Sequence, residues 1–257
     1  MVIRDASPSD LPLIREILTS ANDAPYDIAP VLEEKCFGPG ASGPPRVRLY
    51  EAAGIAVSCG RYLRLLAVLP ERRGEGIGTA LLRDSGPAII GAEPGNYFLP
   101  GVTERAAGFF TRRGYLETGA TWNLHADLWS AGDLARAPRP DLETPIDASF
   151  LDFVRREFGN AWAFEVSKAA AGFYIPDVAF AVIEANNRGL GSFGPTGVAK
   201  AHRGKGHGRT LLRAALAALA RRGYTRGIIP WTDALDFYRR SCGAEPAHRF
   251  VTLKVSR

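Results

Sequence analysis

The chain repeats itself once, and this repeat limits the folds open to it more than any other feature. Residues 73–78 (RGEGIG) return as residues 203–208 (RGKGHG), at an offset of 203 − 73 = 130. Landmarks on either side keep the same order at nearly the same offset: Val68 and Val198, Leu81-Leu82 and Leu211-Leu212, Pro100 and Pro230, Phe109-Phe110 and Phe237-Tyr238, and Gly114 and Gly243. Such a repeat indicates a duplicated domain.

The length agrees with this, since 257 residues suit two domains of the common size of about 100–150 residues. Residues 131–146 are rich in Pro, Asp and Ala and have no apolar periodicity, which is typical of a linker. We therefore expect an N-terminal domain over residues 1–132 and a C-terminal domain over residues 145–257.

Composition excludes several classes of protein. The chain is 46% hydrophobic and 23% charged, which is typical of globular proteins. It has neither a signal-peptide pattern at its start nor an apolar stretch of about 20 residues, so we expect a cytoplasmic protein with no membrane partner. Its three cysteines are widely spaced and predict neither disulfides nor a zinc site. The net charge of +5 suits an anionic ligand, but without a basic run we expect no nucleic-acid partner.

Apolar patterning predicts the elements around each repeat. Near the start, Ser7 and Pro8 are expected to begin a helix whose apolar stripe contains Leu11, Ile14, Ile17 and Leu18. Strands are expected at residues 46–52, 54–58, 61–69, 178–185 and 190–199. After the second glycine repeat, Leu212, Ala215, Leu216 and Leu219 recur at helical spacing, and Gly223 ends that helix.

Both repeats place an apolar strand, an Arg/Gly loop and an amphipathic helix in succession. Glycines at alternate positions remove side chains where the backbone turns into the helix, so several N–H groups can point at one spot. The positive end of the helix dipole favours an anion there, and Arg73 or Arg203 adds charge-assisted hydrogen bonds. The loop has neither a Gly-Lys-Ser/Thr ending nor a complete G-x-G-x-x-G pattern, so other phosphate loops fit less well.

The segment V-x-P-E-x-R-G-x-G-x-G, residues 68–78, resembles the acyl-CoA motif of the GNAT superfamily of N-acetyltransferases. The second copy, residues 198–208, departs from it at Lys200, where Pro is usual. A second family motif, an aromatic pair followed by basic residues and Gly, is matched by residues 237–243 and, in the first copy, by residues 109–115. The resemblance covers most of residues 1–128 and 176–257.

The resemblance implies an α/β (α+β) fold: two GNAT-like domains, each a twisted mixed sheet flanked by helices, with a cleft for CoA between two splayed strands. It implies acetyl-CoA as co-substrate and no metal. The residues that it assigns to CoA are Val68, Arg73, Gly74, Gly76, Gly78 and Thr79 in the first copy, and Val198, Arg203, Gly204, Gly206, Gly208 and Arg209 in the second.

The second copy is the better candidate for catalysis. In the family, the Tyr of the aromatic pair protonates the departing thiolate; Tyr238 matches it, whereas the first copy has Phe110. A family Asn seven residues before that Tyr is replaced by Trp231, and by Thr103 in the first copy. No general base stands out, and Glu184 and Asp233 are the nearest acidic candidates.

We therefore expect a tandem acetyltransferase that moves an acetyl group from acetyl-CoA to a primary amine. A small molecule is a better candidate for this acceptor than a protein. The N-terminal domain is then a degenerate copy, and whether it binds CoA stays open, as does the choice between monomer and homodimer. The alternative is a non-catalytic acyl-CoA-binding module. Tyr238 favours the enzyme, whereas the missing base and Asn favour the module.

Overall fold

The computed structural model of the chain describes residues 2–21, 24–128 and 142–256. Up to residue 128, the elements are β1 (Ile3–Asp5), α1 (Leu11–Ser20), α2 (Leu32–Phe37), β2 (Arg46–Tyr50), β3 (Gly54–Cys59), β4 (Tyr62–Val68), α3 (Ile77–Ser85), β5 (Ile89–Ile90), β6 (Val102–Thr103), α4 (Glu104–Thr111) and β7 (Tyr115–Asp127). From residue 142, they are β8 (Glu143–Thr144), α5 (Ala148–Phe158), α6 (Asn160–Ser167), β9 (Ala171–Ile175), β10 (Ala179–Ile183), β11 (Phe193–Val198), α7 (His207–Arg221), β12 (Arg226–Thr232), α8 (Leu235–Cys242) and β13 (Glu245–Val255).

The predicted elements are confirmed. The five expected strands are β2, β3, β4, β10 and β11, within a few residues at each end. In the first helix, Ser7 forms a capping box with Asp10, and Ile14, Ile17 and Leu18 are buried. Within the described residues, no helix is both long enough and apolar enough to cross a membrane.

The chain divides into two compact units. Unit 1 contains Met1–Thr121 and Arg249–Arg257, and unit 2 contains Trp122–His248. The two long strands therefore change units along their length: β7 begins in unit 1 and ends in unit 2, and β13 does the reverse. Contiguous domains at 1–132 and 145–257 would instead keep residues 122–127 with the first copy and residues 249–255 with the second. Most of the expected linker, residues 131–141, lies outside the described residues.

Unit 1 is built around a sheet in which β1, β2, β3 and β4 are antiparallel neighbours and β5 joins β4 in parallel. The last residues of the chain complete it, because Leu253 on β13 pairs with Ile90 on β5. Helix α3 buries Ile77, Leu81 and Leu82 in the same apolar core as Leu253. The core of the first unit thus depends on residues from the far end of the chain.

Unit 2 contains the antiparallel sheet β11-β10-β9-β8, and β12 pairs antiparallel with residues 122–127 of β7. Side chains of β10 alternate between two cores: Ala179, Ala181 and Ile183 face the α7 core, and Phe180 and Val182 face the core of α5 and α6. Helix α7 buries its expected apolar stripe, Leu212, Ala215, Leu216 and Leu219. The loop with the second glycine repeat connects the end of β11 to the start of α7.

Truncating Leu253 should destabilise unit 1 rather than unit 2. Leu253 is fully buried, so Leu253→Ala should lower the free energy of unfolding by about 2–5 kcal/mol, measured by denaturant titration. The adjacent exposed Lys254 offers a matched control, and Lys254→Ala should change it by less than about 0.5 kcal/mol. Hydrogen exchange in Leu253→Ala should rise in β4, β5 and α3; a rise confined to α7 and β10 would contradict the assignment of residues 249–257 to unit 1.

Candidate functional site

The second glycine loop leaves its backbone open to a ligand. After β11, a 3₁₀ turn over Lys200–His202 leads to α7, which begins at His207. Gly204 and Gly206 have φ of +77° and +87°, and no atom lies within 4 Å of where a Cβ would stand at either position. Their left-handed backbone favours glycine, and the open space lies over the N-terminus of a 15-residue helix. The loop is therefore shaped as an anion site.

The first loop has nearly the same geometry. Gly74 and Gly76 have φ of +89° and +83°, again with open space in the Cβ direction. Arg73 Nε donates to the carbonyl of Val68 at 3.2 Å, and Arg203 Nε donates to the carbonyl of Val198, also at 3.2 Å. The two arginines, which the sequence assigns to phosphate, thus each tie a loop to the end of its strand.

The strands beside each loop separate where a ligand could enter. In unit 2, β11 and β12 are joined by one parallel bridge, Ser192 to Ile228, among the described residues. Beyond it β11 bonds to β10 and β12 bonds to β7, so the facing edges of β11 and β12 carry no ladder. In unit 1, β4 and β5 pair only at Tyr62–Ile89 and Leu63–Ile90 within the described residues.

Tyr238 lies on α8 near the closed end of this gap. Its side chain is 7% exposed, and its ring packs edge-on against Phe193, the first residue of β11, at a centroid distance of 6.3 Å. Burial raises the pKa of the Tyr238 phenol above its usual value, so the hydroxyl keeps its proton at neutral pH. The hydroxyl makes no hydrogen bond with any residue that the structure describes. Phe237, its neighbour, stands against the loop: a Cβ on Gly208 would lie 3.7 Å from Phe237 Cζ.

Residues 127–244, rather less than half of the chain, match the acetyltransferase (GNAT) family. They form a GNAT-family acetyltransferase domain. This GNAT domain includes the second glycine loop, the gap between β11 and β12, and Tyr238. The chain therefore carries a domain of the GNAT N-acetyltransferase type.

Solved structures share the fold across nearly the whole chain. A glucosamine N-acetyltransferase region of a fungal multi-domain GH3 β-N-acetylglucosaminidase matches with TM-score 0.71 and 19% identity, over 98% of this chain and 38% of that one. A GCN5-related N-acetyltransferase from Sphaerobacter thermophilus gives 0.65 and 19%, over 98% and 94%. A tandem GNAT protein from the clavulanic acid biosynthesis pathway gives 0.68 and 17%, over 98% and 97%. This chain thus spans well under half of the first protein but nearly all of the other two. No match was found among curated proteins.

The two loops differ in charge where the GNAT resemblance places phosphate. Lys205 in the GNAT domain corresponds to Glu75 in unit 1, and Arg209 corresponds to Thr79. Glu75 is exposed and ion-paired with Arg72 at 2.8 Å, which lowers the pKa of its carboxyl and keeps it negative. A carboxylate in the loop repels phosphate, so the charges of the second loop suit an anion better than those of the first.

In unit 1, the aromatic pair that corresponds to Phe237 and Tyr238 packs against other side chains of the same unit. Phe110 is buried and packs edge-on against Phe109 and Tyr115, and the Tyr115 hydroxyl donates to the Pro87 carbonyl at 2.6 Å. Thr103 caps α4 by accepting from the Ala106 N–H. Phe110 carries no hydroxyl, and neither the Tyr115 nor the Thr103 hydroxyl has the geometry of a proton donor to a ligand in that unit.

A buried charge network fills the interior of unit 1 beside β4, and the sequence analysis did not foresee it. Arg64 donates to both carboxylate oxygens of Glu93, at 2.5 and 2.6 Å, and to the Lys35 and Gly38 carbonyls. Lys35, fully buried, donates to Asn96 Oδ1 at 2.7 Å. Lys, Arg and Glu are normally exposed, so no pattern in the sequence marks them as interior. Paired charges thus occupy the side of β4 that faces α2.

Neither acidic candidate for the base gains support. Glu184 is 5% exposed, and its Oε1 accepts from the Gly189 N–H at 2.7 Å and from the Tyr224 hydroxyl at 2.6 Å. That carboxylate braces the turn between β10 and β11. Asp233 is exposed just before α8. Within the described residues, no group of three or more His, Cys, Asp or Glu side chains could hold a metal ion.

Exchanging the charges of the two loops should change CoA affinity in opposite directions. Lys205→Glu should weaken CoA binding by roughly thirtyfold at low salt, since the reversal changes the charge by two units and each unit charge near phosphate at the surface contributes about 1 kcal/mol. Glu75→Lys should strengthen binding at the first loop by a similar factor. Calorimetric titration with CoA at low and high salt measures both effects, which salt should reduce. Lys254→Glu, the same reversal on β13, is the control. Equal affinity in all three variants would show that the loops do not hold the phosphates.

Proposed function

We propose that unit 2 transfers the acetyl group of acetyl-CoA to the primary amine of a small molecule. One observation carries this proposal: the open glycine loop leads from the Val198 end of β11 into α7, and the Tyr238 ring packs against Phe193 at the other end of the unpaired edge of β11. From Phe193 to Val198 that edge is about 16 Å long at 3.3 Å per residue, which suits an extended pantetheine arm.

The loop and strand each have a part in binding. The N–H groups around Gly204, Gly206 and Gly208 hold the pyrophosphate, and Lys205 and Arg209 add positive charge. The amide groups of the pantetheine arm bond to the free edge of β11 as an added strand would. This brings the thioester to the closed end of the gap, beside Tyr238.

The transfer requires a neutral amine. Its nitrogen attacks the thioester carbonyl carbon, a C–N bond forms, the C–S bond breaks, and the thiolate takes the proton of Tyr238. The Tyr238 phenol carries its proton at neutral pH, as a proton donor to the thiolate must. The proton lost by the amine passes through water to restore Tyr238, so no dedicated carboxylate is required.

Unit 1 is then a degenerate GNAT copy, and the chain is a tandem GNAT protein. The repeated loop geometry and the shared fold with the tandem GNAT protein support this. Phe110, Glu75 and the network of Arg64 and Glu93 support the loss of catalysis in this copy. For the acceptor of unit 2, the fungal glucosamine N-acetyltransferase region makes glucosamine a first compound to test among small amines.

Removing the Tyr238 hydroxyl should abolish most of the turnover. With an acceptor from an amine screen, Tyr238→Phe should lower kcat and kcat/KM by roughly 10²–10⁴-fold, because the proton donor acts only in the transition state. CoA affinity should stay unchanged, since the ring and its packing are kept. Free thiol released from acetyl-CoA measures the rate.

The corresponding change in unit 1 is the control. Phe110→Tyr should create no activity in a Tyr238→Phe background, because Glu75 and the buried network remain. Full activity of Tyr238→Phe would remove Tyr238 from the mechanism. CoA binding without transfer to any amine would instead identify a non-catalytic acyl-CoA module.

A further inference from the structure

Trp231, on the β12 side of the gap between β11 and β12, has an unusual backbone conformation. Its φ is +54°, in the left-handed region that non-glycine residues rarely adopt. It lies in a bulge of β12, where the register with β7 shifts between Ile229 and Thr232. Despite its size, the side chain is 38% exposed. A strained backbone that presents a large apolar ring to solvent is typical of a functional position.

The bulge is held by a side chain from β7. Asn123 is 2% exposed, and its Oδ1 accepts the Trp231 N–H at 3.1 Å. A bulged residue leaves the ladder and loses its strand partner, so a buried amide oxygen in that place satisfies an N–H that pairing does not. Asn123 therefore maintains the conformation in which Trp231 turns out of the strand.

The position of Trp231 along β12 relates it to the gap. Ile228 forms the one described bridge to β11, and Trp231 follows three residues later, where β12 has separated from β11. Trp231 thus lies on the part of β12 that has separated from β11, beyond the closed end of the gap.

We infer that Trp231 is an apolar wall against which the acyl-pantetheine arm packs, and that Asn123 is the positioning residue that holds this wall in place. The inference rests on the proposed function, because it needs the arm to lie between β11 and β12. An indole contributes apolar contact area along the arm, where a polar side chain would offer hydrogen bonds.

The inference also gives a role to β7, the strand that begins in unit 1 and ends in unit 2. Asn123 precedes residues 129–141 and lies in the part of the chain that carries the first repeat, yet it belongs to unit 2. A protein cut down to residues 145–257 would lack β7 and the acceptor for the Trp231 N–H.

Two probes separate the arm from the phosphate loop: CoA, and adenosine 3′,5′-diphosphate, which lacks the pantetheine arm. In the full chain, Trp231→Gly removes the ring while suiting the left-handed backbone. It should weaken CoA binding by about tenfold or more and leave adenosine 3′,5′-diphosphate binding unchanged, both measured by calorimetry. Trp231→Phe should retain most of the CoA affinity. Trp162→Phe, at a similarly exposed tryptophan on α6, should change neither.

Asn123 is tested by coupling. Asn123→Ala should weaken CoA binding and leave adenosine 3′,5′-diphosphate binding unchanged. Asn123→Asp, which keeps an acceptor oxygen, should retain CoA affinity. The double variant Asn123→Ala/Trp231→Gly should bind CoA no more weakly than Trp231→Gly alone. Equal CoA affinity in Trp231→Gly and the wild type would overturn the inference, as would a loss shared by both probes. If Asn123→Ala fails to fold, the Trp231 variants alone decide. A wild-type protein that binds neither probe would refute the proposed function as well.

Discussion

The separation of β11 from β12 is the constraint on which the candidate site depends. Every backbone N–H and C=O in a buried sheet needs a partner, and two parallel neighbours would normally supply each other. Here β11 is paired with β10 and β12 with β7, while a bridge at Ser192 and Ile228 joins the pair at one end. Beyond that bridge, the edges of β11 and β12 that face each other form no ladder in the described residues. The gap relates the glycine loop to Tyr238, because the two lie at its opposite ends.

The partner of β12 comes from the first repeat. Strand β7 begins in unit 1 and continues into unit 2, and β13 runs the opposite way. Each unit therefore contains a strand segment that the other repeat encodes. Residues 122–127 of β7 pair with β12 in unit 2, and Asn123 among them accepts the Trp231 N–H.

The two glycine loops keep the same backbone but differ in charge and in their surroundings. Gly76 and Gly206 share a left-handed conformation, and both arginines tie their loops to the preceding strand. Around this common frame, Glu75 replaces Lys205, and the ion pair of Arg64 and Glu93 fills the interior of unit 1. A buried ion pair requires both partners, since removing one leaves an uncompensated charge. Replacing Arg64 or Glu93 alone would therefore destabilise unit 1.

The sequence alone determined the local features: the strand before each loop, the glycine turn and the helix that follows. These depend on short-range periodicity and on backbone preferences of single residues, which the order of residues carries directly. It did not disclose the pairing of β7 and β13, because both strands have the same pattern whichever copy they join. Nor did it reveal the burial of Lys35 and Arg64, whose partners Asn96 and Glu93 are distant in sequence, or the hydrogen bond from the remote Tyr224 to Glu184. Those were decided by the tertiary structure, since hydrogen bonds between remote segments form only once the sheets bring them together.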